Sequence, residues 1–132
     1  MKLRLLMLLS AALMLFAAST ASAEEKFGVK VYPGAEYEVS ATKFVRGMAT
    51  SGEAYCYRTE DDVLKVAELY KKKPDLGLIA PATEQGAFFN RRCQDNPDCG
   101  PDIDLSIQSP WMDMQTQEMN HDSLLCIVNR EQ

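Results

Sequence analysis

Apolar residues along this chain recur with two different periods, and the changes between them divide it into elements. Leu5 to Ala18 is an apolar run broken only by Ser10. Between 39 and 48 the apolar residues Ala41, Phe44, Val45 and Met48 follow helical spacing, although β-branched Val39, Thr42 and Val45 lower the propensity. Ser51-Gly52 is expected to end that helix. Glu53 to Arg58, rich in Tyr, reads as a strand. Val63, Val66, Ala67 and Tyr70 then form one stripe at i, i+3, i+4 and i+7, the core-facing side of a second helix. Thr59 is its expected N-cap, with Asp62 three residues on. Glu60, Asp61 and Asp62 suit the positive end of the helix dipole and Lys71, Lys72 and Lys73 the negative end. Pro74 stops the helix.

The rest of the pattern is β. Leu76 to Ala80 and Gln85 to Arg92 are apolar runs joined by Pro81-Ala82-Thr83-Glu84, which predicts a hairpin. Ile103 to Gln108 alternates, with Ile103, Leu105 and Ile107 facing a core and Asp104, Ser106 and Gln108 facing water. Leu124 to Asn129 is the last strand, with Leu125 and Ile127 inward. Near the start, Tyr32-Pro33-Gly34-Ala35 places Pro and Gly at the central positions of a type II turn. These elements predict an α+β domain: an antiparallel β-sheet meander with two helices packed on one face.

Composition changes this picture mainly at the ends. Lys2 and Arg4 precede the apolar run, and Ala21-Ser22-Ala23 follows it with the small-x-small pattern of a cleavage site. The run is shorter than the roughly 20 residues that span a bilayer. Residues 1–23 therefore read as a signal peptide cleaved near Ala23, and 24–132 as a single periplasmic or secreted domain. Without Lys2 and Arg4 the chain carries 12 basic against 19 acidic residues, a net charge of −7. That sign disfavours nucleic acid, whose phosphates are bound by Lys and Arg, and it disfavours anionic lipid. From Cys93 through Asn129 there is no Lys or Arg, while Asp95, Asp98, Asp102, Asp104, Asp113, Glu118 and Asp122 all fall there. Such a stretch is ordinarily a solvated face; the sharper reading makes Asp95, Asp98, Asp102 and Trp111 a docking surface for a partner.

Cys56, Cys93, Cys99 and Cys126 give an even count, which in an exported domain reads as a disulfide framework. Of three connectivities, Cys93 with Cys99 is favoured because the five residues between them are turn-forming. Cys56 with Cys126 would then close a loop of about 70 residues, worth on the order of 3–4 kcal/mol. Neither spacing suits a zinc knuckle or a redox Cys-x-x-Cys motif.

Candidate chemistry is sparse. His121 is the lone histidine, and no nucleophile elbow, phosphate loop or H-E-x-x-H occurs. Asp95, Asn96, Asp98, Asp102 and Asp104 offer oxygen donors to calcium, but Pro97 and Cys99 stand where an EF-hand loop needs ligands. Met112, Met114, Met119 and His121 offer thioether and imidazole donors suited to Cu(I) or Ag(I), with Trp111 as an indole face. This set is loosely similar to the ligands of periplasmic copper and silver chaperones, although here the histidine follows the methionines and helices are expected. The competing reading is a long strand-connecting loop whose Trp111 and methionines pack back onto the sheet.

Val31-Tyr32-Pro33-Gly34-Ala35, then Tyr57-Arg58-Thr59-Glu60-Asp61 leading into Val63-x-x-Val66-x-x-Leu69-Tyr70-Lys71-Lys72, and Ile107 to Asp113, resemble a class of small, uncharacterised bacterial exported proteins. The resemblance implies a helix-backed sheet in the periplasm, no established activity and no catalytic residue. The resulting expectation is a non-catalytic binding or accessory module for another cell-envelope component or a small ligand, without cofactor. It would bind through the acidic 95–122 region or an apolar groove beside the sheet. A soft-metal binder is the alternative, and a small hydrolase the weaker one.

Overall fold

The computed structural model describes residues 24–48, 53–93 and 96–130. The expected signal peptide, the helix stop at Ser51-Gly52 and Asp95 lie outside the described residues. Glu25–Lys26 (β1) and Val29–Lys30 (β2) pair around Phe27 and Gly28, both at positive φ (56° and 78°). That geometry matches a two-residue hairpin turn to the strand twist. The next turn forms as expected: the Ala35 N–H donates to the Tyr32 carbonyl at 3.1 Å, and Gly34 holds φ 81°. Glu36–Tyr37 (β3) leads into Val39–Met48 (α1), whose first turn is capped by the Glu38 carboxylate accepting from the Ala41 N–H at 3.0 Å.

Glu53–Thr59 (β4) is followed by Val63–Lys71 (α2). The N-cap of α2 is Asp62 rather than Thr59: the Asp62 side chain accepts from the Lys65 N–H at 2.8 Å, while Thr59 still belongs to β4. An aspartate at the last extended residue caps as well as threonine does, so the helix starts three residues later. The predicted stripe is fully buried, at Val63, Val66, Ala67 and Tyr70. Gly77–Leu78 (β5) pairs antiparallel with Gly86–Arg91 (β6), giving the expected hairpin with a first strand cut to two residues between Pro74 and Pro81. A 3-10 turn at Pro97–Cys99 precedes Ile103–Gln108 (β7). Trp111–Met112 (β8) and Met119–Asn120 (β9) form a small ribbon, and Ser123–Asn129 (β10) closes the fold.

The domain is disulfide-bonded α+β with antiparallel sheets, as its sequence predicts. Two details differ from the simple meander. The six-stranded sheet runs β3-β4-β10-β7-β6-β5, so the last strand is inserted in the middle. The helices also do not share a face: α2 covers one, whereas α1 runs along the open edge of β4, where Thr42 and Arg46 bond its backbone, and packs Ala41 and Val45 toward the other. Successive side chains of a strand point to opposite sides, and Tyr57, Leu125 and Ile127 join α2 in one core while Cys56, Leu124 and Cys126 join Ala41 and Val45 of α1 in another. The reason is that β4 and β10 carry apolar side chains on both parities, and each parity needs a cover.

Cys56–Cys126 and Cys93–Cys99 are the disulfides, with Cα–Cα distances of 4.1 and 5.5 Å. Cys56 and Cys126 stand directly opposite each other across β4 and β10. The Cys56 N–H donates to Thr42 Oγ1 and its carbonyl accepts from the Glu38 N–H, so its polar groups point toward α1 and away from β10. This is a non-hydrogen-bonded pair, the kind that brings opposing side chains closest. Among the described residues no helix is long and apolar enough to cross a membrane. Both observations are compatible with export.

Candidate functional site

Three surfaces invite a functional reading, and each grows from the alternation just described. The first is a polar cleft of about 590 Å³ lined by Pro33, Gly34, Glu36, Arg58, Thr59, Glu60, Asp61 and Asp122. Arg58 leaves the end of β4 on the α1 face. Its Nε donates to Asp122 Oδ2 at 2.7 Å, its Nη2 reaches Asn120 Oδ1 at 3.4 Å, and its guanidinium lies 5.0 Å from the centre of the Trp111 ring. Trp111 Nε1 donates to the other Asp122 oxygen at 2.8 Å. Asp122 therefore holds Arg58 firmly charged and accepts from an indole and a guanidinium together. Beside it, the Tyr32 hydroxyl donates to Asp61 at 2.5 Å. That bond pulls Asp61 below its usual pKa and pushes Tyr32 up to about 12. A general acid needs the opposite, a carboxyl raised toward neutrality. Asp113 is lowered too, first by the Ser40 hydroxyl that donates to it at 2.8 Å.

The second surface is an apolar trough of about 540 Å³ on the half of the sheet that α1 leaves uncovered. Phe88, Ser106 and Val128 share this face by register, and Ile79, whose N–H donates to the Phe88 carbonyl, continues it past β5. Phe88 is 48% exposed. At one end Asp104 lies between Arg92, 3.0 Å away, and Arg130. Two guanidiniums sharing one carboxylate leave that end positive in a chain of net negative charge.

The third surface is the β8–β9 ribbon. Trp111 is buried against Leu124 and the disulfide, as the packing alternative required. The methionines are not: Met112, Met114 and Met119 are 44%, 46% and 48% exposed, and His121 is exposed as well. Trp111 therefore stands on the inner side with Arg58, apart from the thioethers with which its sequence position grouped it.

The acidic segment is largely occupied by its own fold. Asp102 accepts from the Cys93 N–H at 2.8 Å, Asp104 pairs with the two arginines, and Asp113 and Asp122 are engaged as above. Asp98 is exposed, with its backbone N–H bonded to Asn96 Oδ1. Among the described residues no three His, Cys, Asp or Glu side chains converge on a point that could hold a metal. Arg58 and Phe88 were the residues that sequence reasoning did not single out. Phe88 carried a signal, since Phe88-Phe89 puts one aromatic on each face of a strand. Comparison with protein-family models, curated proteins and solved structures found no match to this chain.

Proposed function

We propose that this protein is a non-catalytic binding module of the cell envelope, delivered there by residues 1–23 and binding an apolar segment of a partner protein in the open trough. The observation that carries the reading is the exposed Phe88 floor on a sheet face left half covered. Apolar side chains aligned on a flat face beside a short edge strand suit an extended chain, which could pair with β5 and set alternate side chains into the trough. The Arg92–Asp104–Arg130 end favours a segment flanked by acidic residues. The internal engagement of Asp102, Asp104, Asp113 and Asp122 supports the trough over the acidic surface as the contact.

Site-specific photocrosslinking in living cells tests this. A photoreactive phenylalanine analogue at position 88 or 79 is expected to trap one discrete envelope partner, and the same group at Leu64, exposed on α2 across the sheet, is expected to trap none. Equal trapping at 64, or none at 88 and 79, removes the reading.

A further inference from the structure

The β8–β9 ribbon has two sides with opposite chemistry. Its inner side is fixed by its contacts: Trp111, Asn120 and Asp122 all meet at Arg58, and Asp113 is tied to Ser40 of α1. Alternation within the two short strands then sends Met112 and Met119 to the outer side. His121 lies between the inward Asn120 and Asp122 just past β9, and Met114 is exposed in the turn beyond β8. Met112 and Met119 are register partners. The Asp113 N–H donates to the Glu118 carbonyl at 2.9 Å, so the next pair inward, Met112 with Met119, is of the non-hydrogen-bonded kind whose side chains lie closest. Met114 is two residues from Met112 on one arm and His121 two residues from Met119 on the other.

Packing does not explain these methionines. Residues 24–132 contain four, Met48, Met112, Met114 and Met119, and every one is exposed. Methionine normally fills core gaps. Two thioethers paired on the outer face, with a third in the turn at one end and an imidazole at the other, form a soft donor set, the type that selects Cu(I) and its congener Ag(I) over harder ions. We infer that the outer face of the β8–β9 ribbon is a binding site for a soft monovalent metal ion, with Met112 and Met119 as its central pair and Met114 and His121 completing it. Trp111 takes no part, because its ring is buried and its π-face is given to Arg58. The site is separate from the trough and does not depend on it.

The test uses Ag(I), which needs no reductant, on the oxidised protein, whose cysteines are all disulfide-bonded and leave no thiol to compete. Methyl-13C methionine labelling resolves each thioether by NMR. At one equivalent of Ag(I) the Met112, Met114 and Met119 methyl signals and the His121 ring signals are expected to shift and then stop. Met48, 69% exposed on α1, is the internal control and is expected to stay. The double variant M112L/M119L keeps volume and apolarity and is expected to bind about tenfold or more weakly, at least the loss that follows removal of an outer-shell partner. Unchanged Trp111 fluorescence verifies its fold. Equal shifts at Met48, no saturation at one equivalent, or full affinity in the double variant each overturn the site.

Discussion

Phe88 and Phe89 are consecutive on β6, yet one is 48% exposed and the other 1%. Phe89 points into the α2 side of the sheet, where Tyr57, Tyr70, Ile103, Leu105, Ile107, Leu125 and Ile127 close a continuous apolar core. Phe88 points to the α1 side, where a smaller cluster around the Cys56–Cys126 disulfide and Trp111 covers only the β4–β10 half. Two side chains of one type thus serve different ends. The α2 side carries the stability of the fold, and the α1 side is held by a disulfide and a polar knot, which frees the remaining area for contact with something else.

Replacing each phenylalanine by alanine gives the largest contrast. F89A is expected to cost about 3–5 kcal/mol, the range for a fully packed aromatic, whereas F88A is expected to cost less than about 1 kcal/mol, as for a surface position. Denaturant midpoints measured on both decide it. A comparable loss from F88A would mean that the trough is covered within the free protein, and the contrast between the faces would fail.

The disulfides sharpen the comparison at a slightly smaller scale. Removing Cys56–Cys126 by double alanine substitution is expected to cost about 4 kcal/mol, because it releases a long loop from the least covered side, and removing Cys93–Cys99, which closes a short one, about 2 kcal/mol. Unfolding of each variant under non-reducing conditions measures both. The reverse order would show that the cross-strand staple is not what holds the α1 face together. Smaller again is replacement of Trp111 by its isostere 3-benzothienylalanine, which exchanges only the N–H that donates to Asp122 for a sulfur. A hydrogen bond to a charged group is worth about 1.5–3 kcal/mol, and the partial exposure of Asp122 puts the expected loss near the lower bound. Its thermal midpoint should fall while far-ultraviolet circular dichroism stays unchanged.

Much of this division was legible in the residues. The stripe of α2, the alternation of Ile103 to Gln108, the type II turn at Pro33-Gly34 and the Cys93–Cys99 pair all follow from local rules, because each is set by neighbours a few positions apart, and Cys56 with Cys126 then follows by elimination. Strand order was not, since alternation fixes which face a residue takes and says nothing of which strand lies beside it. One signal was present. Leu124-Leu125-Cys126-Ile127-Val128 is apolar at every position, the pattern of a strand covered on both sides, and a strand covered on both sides belongs in the middle of a sheet. The same reasoning, applied to Ala54, Cys56 and Tyr57 on β4, calls for a cover on each face. For the ribbon, residue types named the thioether set, but only pairing and the Arg58 contacts separate Trp111 from it. Arg58 left no trace in sequence because its role depends on Asp122 and Asn120, more than 60 residues away.

The smallest effects concern pH, and they compare the faces through one carboxylate on each. Asp61, beside α2, and Asp113, beside α1, are both held below the ordinary aspartate pKa, chiefly by the hydroxyls of Tyr32 and Ser40. A carboxyl whose pKa is lower folded than unfolded adds stability above the unfolded pKa, and that stability fades as pH falls through the folded value. Tyr32 is raised to about 12, so its contribution is full below the ordinary tyrosine value of about 10 and is lost as pH rises from there toward 12. One hydrogen bond on the α2 side therefore acts on both limbs of the stability curve, whereas the Ser40–Asp113 bond acts on the acid limb alone, serine having no titration in range. Y32F is expected to flatten the acid limb and the alkaline limb together, and S40A only the acid one, when stability is measured by denaturant from pH 2 to 11. Both deficits should shrink as pH falls below the ordinary aspartate value, because protonation removes the charge that each hydroxyl holds. An alkaline effect in S40A, or a Y32F deficit as large at pH 2 as at pH 7, would show that these hydroxyls act through packing rather than through the carboxylates they hold.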